Sequence, residues 1–369
     1  MPPPPPPASV LQPSGNIPQL PALAPSMQRV ASSSAIDGAL KRAPPTVHSW
    51  SSCPAAAFKV RCGPNYKANG KKAPSAGALY EVSAVDVYRS QMKLAHVGRV
   101  TALPEEPEPL PPEAGLPTHV IINFMVPNYA PGGLLGSKKT NGPGWNLVLY
   151  CRPSETLRAL FRREGSSMPP PPSVDLLRRY MHPSEGVLLR GTRLKCIFGV
   201  VDLEGPAFGM VMKQMIKSYN FKPFLSKTAS FCYWEQGYFE IDVDIHTWSS
   251  ATLSAFHTLV EKIPLMLLRG GVVIEADGDA EMPEQLLACV VLARIDPKRA
   301  PPFPPELVSY LADDANQRDP LPRASRVRAG QAGDLIASDP ASDICSATPP
   351  VSDAEDADDL PPSRSAIPT

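Results

Sequence analysis

The sequence predicts one α+β domain, a largely antiparallel β-sheet with a few packed helices, flanked by disordered tails rich in Pro, Ala and Ser. Three observations predict this class. The 47 prolines are concentrated at the ends, with 13 in residues 1–57 and 12 in residues 301–369. Between the ends, short apolar or alternating segments are separated by Gly, Pro and Asn. Few segments have helical periodicity, and consecutive strands joined by short turns are typical of antiparallel sheets.

The domain is predicted to cover residues 48–300, between a disordered Pro-rich tail at 1–47 and a disordered acidic tail at 301–369. Segments of this composition bury too little apolar surface to offset the entropy lost on ordering the chain. From Asp313 to the C-terminus, eleven acidic residues outnumber five arginines. Residues 8–47 are basic with a single acidic residue, so an organelle transit peptide is the alternative to a plain tail.

The first half of the domain is predicted to hold strands separated by long loops. The strands are expected at residues 58–61, 79–88, 120–126 and 146–151. Gly63 to Gly70 has the composition of a loop. Residues 154–181 are predicted to be helical in pieces, because the prolines at 169–172 interrupt the helical pattern.

The second half has clearer boundaries. Strands are expected at residues 193–201, 229–234, 238–245, 272–276 and 286–296, and helices at 207–216 and 251–263. Gly237 favours a hairpin turn between the second and third of these strands. Pro206 suits the first position of the following helix, where its missing N–H costs nothing. Ser249 and Ser250 are expected to cap the last helix.

Composition excludes several classes of protein. The formal net charge is zero and the region between the tails is only mildly basic, which argues against nucleic-acid binding. Seven cysteines without a CxxC pair favour reduced thiols in the cytoplasm over a zinc ribbon or a disulfide framework. No apolar run is long enough to span a bilayer. The sequence contains no HExxH or GxSxG motif, so we predict no catalytic residue, no cofactor and no metal.

One predicted strand carries a row of acidic residues. Because alternate side chains share a face of a strand, one face holds Glu240, Asp242, Asp244 and His246. Such a row could bind a hard cation or shift a carboxyl pKa for acid–base catalysis. The favoured interpretation is a solvated face with Lys or Arg on the neighbouring strand.

Two loops carry candidate sites for an anion or a lipid headgroup. Their cations are Arg61, Lys67, Lys71, Lys72, Lys138 and Lys139. A phosphate-binding P-loop is excluded, because six residues separate Gly63 from Gly70 where four are needed. The cations could hold an anionic headgroup. Exposed basic turns without a ligand are the commoner alternative.

Several segments, taken in order, resemble the C-terminal domain of the plant protein Enhanced Disease Resistance 2 and its relatives. The first segments are at residues 58–61, 65–66, 72–74, 85–86, 96–99 and 122–127. The later ones are at 193–195, 204–206, 238–245, 249–250, 281–287 and 294–296. The motif residues, of structural or unknown role, are Asn123, Pro127, Lys195, Glu204, Gly205, Pro206, Glu240, Asp242, Asp244, Ser249, Ser250, Pro283 and Glu284.

The resemblance implies a module without known catalytic activity. Plant relatives often carry it after a phosphoinositide-binding pleckstrin-homology domain and a lipid-binding START domain, and they regulate defence and cell death at membranes. Residues 1–49 are expected to be a tail rather than either domain. We therefore expect a non-enzymatic, cytoplasmic module that associates with an anionic lipid or membrane surface. The alternatives are a soluble module that recruits protein partners through its Pro-rich and acidic tails and, less favoured, an enzyme that uses residues 240–246.

Overall fold

The computed structural model describes residues 28–29, 48–103, 106–130, 140–162, 169–204, 208–226, 230–235 and 237–312. Most of the predicted N-terminal tail and residues 313–369 lie outside these ranges. The described residues form an α+β fold whose sheets are largely antiparallel, which confirms the predicted class.

Within the described ranges, thirteen strands form two large sheets and one two-stranded hairpin. The strands are β1 (Gln28–Arg29), β2 (Ser49–Ser52), β3 (Lys59–Arg61), β4 (Lys72–Pro74), β5 (Tyr80–Ser90), β6 (His119–Pro127), β7 (Gly144–Pro153), β8 (Leu194–Val200), β9 (Pro223–Leu225), β10 (Ser230–Glu235), β11 (Tyr238–Asp244), β12 (Leu267–Ile274) and β13 (Leu286–Ala293). The six-stranded sheet has the order β1-β2-β13-β12-β8-β9, the five-stranded sheet has the order β10-β11-β6-β7-β5, and β3 pairs with β4. Only the β1–β2 and β6–β11 pairs among these strands are parallel.

Helices occupy connections between strands, and one helix follows the last strand. They are α1 (Tyr66–Asn69), α2 (Glu155–Phe161), α3 (Pro172–Met181), α4 (Gly186–Arg190), α5 (Met210–Tyr219), α6 (Ser250–Val260) and α7 (Pro305–Ala312). Six short 3-10 helices lie at Ala55–Ala57, Val97–Val100, Pro112–Ala114, Ile245–Thr247, Ile263–Leu265 and Asp279–Glu281. The hydroxyl of Ser249 accepts a hydrogen bond from the backbone N–H of Thr252, so the predicted cap of α6 is confirmed.

The two large sheets pack face to face around one apolar cluster. Val120 and Ile122 of the five-stranded sheet and Val290 and Leu292 of the six-stranded sheet all lie in it. Successive side chains of a strand point to opposite faces. Ile121 accordingly lies on the other face of the five-stranded sheet, which we call the outer face; a second apolar cluster covers it.

The predicted domain boundary at residue 300 is too early. Phe303, Leu307 and Leu311 are buried on the outer face, and the Phe303 ring meets Tyr88 edge-on with centroids 5.5 Å apart. The prolines after residue 300 suggested a tail. Pro305 is instead the first residue of α7, and the fixed φ of proline suits a helix start.

Other predicted elements are correct in kind and shifted in position. The predicted loop from Gly63 to Gly70 contains the short helix α1. The helix predicted at 207–216 is α5, which begins at Met210, three residues later. In the part of the chain that the structure describes, no helix has the length and apolar character needed to cross a bilayer.

Candidate functional site

The acidic row of β11 is buried. Glu240, Asp242 and Asp244 have no exposed surface, and His246, which follows the strand in a 3-10 helix, is 1% exposed. The favoured prediction of a solvated strand face is therefore wrong. Glu240 pairs in register with Ile121 of β6, and Asp242 pairs with Asn123. The acidic row thus lies on the outer face, which residues 93–101 and α7 cover.

Glu240 is held by backbone donors. The N–H groups of Val97 and Gly98 donate hydrogen bonds to its two carboxyl oxygens, at 2.8 and 2.9 Å. Burial, and then the neighbouring Asp242 carboxylate, raises the pKa of Glu240 well above its ordinary value. This shift favours the protonated form of the Glu240 carboxyl. A Cβ atom on Gly98 would lie 2.8 Å from the Glu240 carboxyl, so the approach requires glycine.

Asp242 completes an amide network. Its carboxylate accepts hydrogen bonds from the backbone N–H of His96 at 2.9 Å and from the side-chain amide of Asn123 at 2.8 Å. The amide of Asn146 in turn donates to Asn123 at 2.7 Å, and both amides donate to the carbonyl oxygen of Leu94. Burial raises the pKa of Asp242 to about 6, against the opposing effect of these donors.

The same face holds further polar pairs. Lys93 forms a 2.6 Å ion pair with Asp244. The hydroxyl of Tyr129 lies 2.8 Å from Nδ1 of His246. His96 lies 2.9 Å from the Tyr238 hydroxyl. Among the described residues, no group of three or more His, Cys, Asp or Glu side chains could hold a metal ion.

This network ties the loop of residues 93–101 to the sheet. Every carboxylate of the row binds a group from that loop: Glu240 binds Val97 and Gly98, Asp242 binds His96, and Asp244 binds Lys93. The three carboxyl groups are buried, and of their oxygens Oδ1 of Asp244 has no hydrogen-bond partner among the described residues, whereas the others accept hydrogen bonds or pair with Lys93. The arrangement is suited to fixing the loop, because buried polar groups that are paired favour one geometry.

A second buried ionic cluster joins distant motif residues. Lys195 of β8 donates to both oxygens of Glu284, at 2.7 and 2.8 Å, and both side chains are nearly inaccessible to solvent. The backbone N–H groups of Arg61 and Ala276 also donate to the Glu284 carboxylate. Burial lowers the pKa of Lys195, while Glu284 acts in the opposite direction.

Two of the predicted anion-binding cations are paired with carboxylates. The Arg61 guanidinium contacts Glu275 and lies 3.8 Å from Glu284. Lys67 lies 3.4 Å from Asp277, and both side chains are largely exposed, so that pair is weak. The charge of Arg61 is therefore compensated within the protein.

The predicted cations Lys71 and Lys72 form an exposed basic ribbon together with Lys59, and this name denotes these three lysines of the β3–β4 hairpin. All three are exposed and have no ion-pair partner among the residues that the structure describes. Lys59 and Arg61 share one face of β3, and Lys72 faces Arg61 across the hairpin. Sequence reasoning omitted Lys59, although its alternation with Arg61 in a strand was the signal.

Other predicted residues have structural positions or lie outside the described ranges. Lys138, Lys139, Gly205 and Pro206 lie outside the described residues. The remaining motif positions are Pro127 at the end of β6, Glu204 in an exposed ion pair with Lys213, Ser250 at the start of α6, and Pro283 between Met282 and Glu284.

The motif segments that are scattered along the sequence therefore converge in two clusters. Asn123, Glu240 and Asp242 meet on the outer face, and Arg61, Lys195 and Glu284 meet beside the ribbon. Comparisons with curated proteins and with solved structures gave no match. The family model described as Protein ENHANCED DISEASE RESISTANCE 2, C-terminal matches residues 50–296, so the chain belongs to that family.

Proposed function

We propose that the chain is a non-enzymatic module that docks on an anionic membrane surface through the basic ribbon. The observation that carries the proposal is the exposure of Lys59, Lys71 and Lys72 together on one short hairpin, without carboxylate partners among the described residues. Between Asp37 and Glu81 the sequence has no acidic residue, so no side chain of that segment opposes their charge.

The hairpin is held firmly enough to present these charges. Val60, on the face opposite Lys59 and Arg61, is 3% exposed and lies in an apolar cluster with Phe58 and Val273. The Arg61 backbone is bonded to the buried Glu284 carboxylate. A fixed basic surface attracts anionic lipid at little cost in ordering, and each lysine near such a surface contributes about 1 kcal/mol.

The non-enzymatic part is supported by the buried carboxylates. Glu240 and Asp242 are the most perturbed acids of the row, which could indicate catalysis. Both have no exposed surface and are bonded to backbone and amide donors of the same domain. This supports a role in fixing the loop of residues 93–101 rather than in binding a substrate.

The test is sedimentation of the full chain with vesicles of phosphatidylserine and phosphatidylcholine, or of phosphatidylcholine alone, at low and high salt. We expect binding to the anionic vesicles only, weakened by salt because screening reduces the attraction of exposed charges. Replacing Lys59, Lys71 and Lys72 together with Ala should weaken binding about 100-fold.

The matched control replaces three other exposed lysines, Lys217, Lys262 and Lys298, with Ala. This variant loses the same net charge and should bind within about threefold of the original chain. Equal losses of vesicle affinity in the two variants would show that binding depends on the net charge of the chain and not on the basic ribbon. Absence of binding to either vesicle would reject the membrane proposal and favour partner recruitment through the tails.

A further inference from the structure

Two cysteines lie at facing positions of neighbouring strands. In the antiparallel β2–β13 pair, Ser52 faces Val290 and Ser51 faces Val291. Continuing this register by one residue places Cys53 opposite Cys289. Directly opposed residues of antiparallel strands have Cβ atoms about 4.5–5.5 Å apart. A disulfide needs about 3.5–4.5 Å, so a small approach of the strands suffices.

The two cysteines are already in contact. The thiol of Cys289 donates a hydrogen bond to the carbonyl oxygen of Cys53 at 3.1 Å. The interaction with the Cys53 side chain, followed by burial, raises the pKa of Cys289. Cys53 is half-buried and reachable from solvent, whereas Cys289 is 6% exposed behind it.

Three of the other described cysteines face apolar residues. Within the sheets, Cys151 faces Val82, Cys196 faces Val272, and Cys232 faces Ile241. Burial raises the pKa of the Cys196 thiol to about 12, which leaves little reactive thiolate. The pair at the end of β2 thus combines a solvent-reachable thiol with a second thiol in contact.

We propose that Cys53 and Cys289 form a modification site for a peroxide, which converts them into an intrachain disulfide. The Cys53 thiolate attacks one oxygen of hydrogen peroxide. The O–O bond breaks, the leaving hydroxide takes a proton to become water, and Cys53 becomes a sulfenic acid. The Cys289 sulfur then attacks the Cys53 sulfur and loses its proton, while the S–O bond breaks and releases a second water. Two thiols are oxidised and one peroxide is reduced.

The disulfide would connect strands that are far apart in sequence. Cys53 and Cys289 are 236 positions apart in the sequence, and the 3-10 helix Ala55–Ala57 connects β2 to the basic ribbon. A cross-link that closes a long loop restricts the unfolded chain. We expect the Tm of the oxidised chain to exceed that of the reduced chain by about 5 °C.

The experiment treats the reduced full chain with a small excess of hydrogen peroxide, blocks remaining thiols with an alkylating reagent, and digests the product with trypsin. Each half of the pair lies in its own tryptic peptide, 43–59 for Cys53 and 270–294 for Cys289. We expect these two peptides to be recovered as one linked species, about 2 Da lighter than their sum. Dithiothreitol should separate them.

Cys53→Ser and Cys289→Ser should each abolish the linked species and the rise in Tm. Cys345→Ser is the matched control, since it removes one thiol of the chain and leaves the pair intact. Recovery of Cys53 as a sulfinic acid beside an unlinked Cys289, or Cys53 linked to another cysteine, would overturn the proposal. The identification of the linked or oxidised peptides uses the original chain, so it does not depend on the folding of any variant.

Discussion

The acidic row of β11 and the basic ribbon of β3–β4 have the same sequence pattern and opposite environments. In each, charged residues alternate with apolar ones along a strand. The carboxylates have no exposed surface, whereas Lys59 and Lys72 are exposed. The difference lies in what covers the charged face: a loop from residues 93–101 lies over the acids and is hydrogen-bonded to them. Alternation therefore identifies the two faces of a strand but does not tell whether the polar face meets water.

The largest effect is expected from a buried charge that loses its partner. Lys195→Met keeps the length of the side chain and leaves the Glu284 carboxylate buried without its ammonium partner. We expect the free energy of unfolding to fall by about 3–5 kcal/mol. Urea denaturation followed by circular dichroism measures it.

Lys72→Met makes the same replacement at an exposed lysine of the basic ribbon. It should change the free energy of unfolding by less than about 0.5 kcal/mol. Similar losses in the free energy of unfolding for Lys195→Met and Lys72→Met would contradict the expected difference between a buried and an exposed charge.

A smaller effect is expected where the loop meets Glu240. In Gly98→Ala the new Cβ would lie 2.6 Å from Cδ1 of Ile121 and 2.8 Å from the Glu240 carboxyl. The loop must move away, and we expect a loss of about 2 kcal/mol in the free energy of unfolding. Gly278→Ala is the control, because its Cβ would meet nothing within 4 Å. An unchanged free energy of unfolding in Gly98→Ala would show that the loop of residues 93–101 can move away from the Glu240 carboxyl without loss of stability.

A pH-dependent effect on stability is expected from Asp242. Burial raises its pKa to about 6, whereas an unfolded aspartate has a pKa of about 3.9. The folded chain therefore binds more protons than the unfolded chain between these values, and stability contributed by the protonated carboxyl is lost as pH rises from about 4 to about 6. Asp242→Asn should remove this fall, which amounts to at most about 1.4 kcal/mol per pH unit.

Denaturation of both chains at a series of pH values between 4 and 6 measures the difference. Asp277→Asn, at an exposed position, should follow the original chain. A difference between the original and Asp242→Asn chains that does not vary over this range would contradict the assignment of a raised pKa to Asp242.

The sequence predicted the positions of strands and helices better than it predicted which of their side chains are buried. The hairpin of β10 and β11 and the serine cap of α6 follow from local residues, and both are confirmed. The burial of Glu240 depends on backbone donors about 140 positions earlier in the chain, so no local pattern contains it. Helix α7 was missed because its flanking prolines resemble those of a tail, while the buried Leu307 and Leu311 have helical spacing.

The pairing of Arg61 was also beyond local reasoning. Its carboxylate partners Glu275 and Glu284 are more than 200 residues away. A single cation in a sequence looks available for an anionic ligand, and only the tertiary fold shows that protein carboxylates compensate it. Lys59, in contrast, could have been found, since it stands two residues before Arg61 in a predicted strand.

The adjacency of β2 and β13 has a consequence for how the domain folds. The pairing of β2 with β13 forms only when the last strand is present, and β6 pairs with β11 after more than a hundred intervening residues. Chains dominated by such distant pairings fold slowly, because the entropy of closing long loops is lost before the contacts form. During synthesis the edge of β2 that pairs with β13 therefore stays unpaired until nearly the whole domain has emerged, and this is the period in which a folding chain is most prone to aggregate.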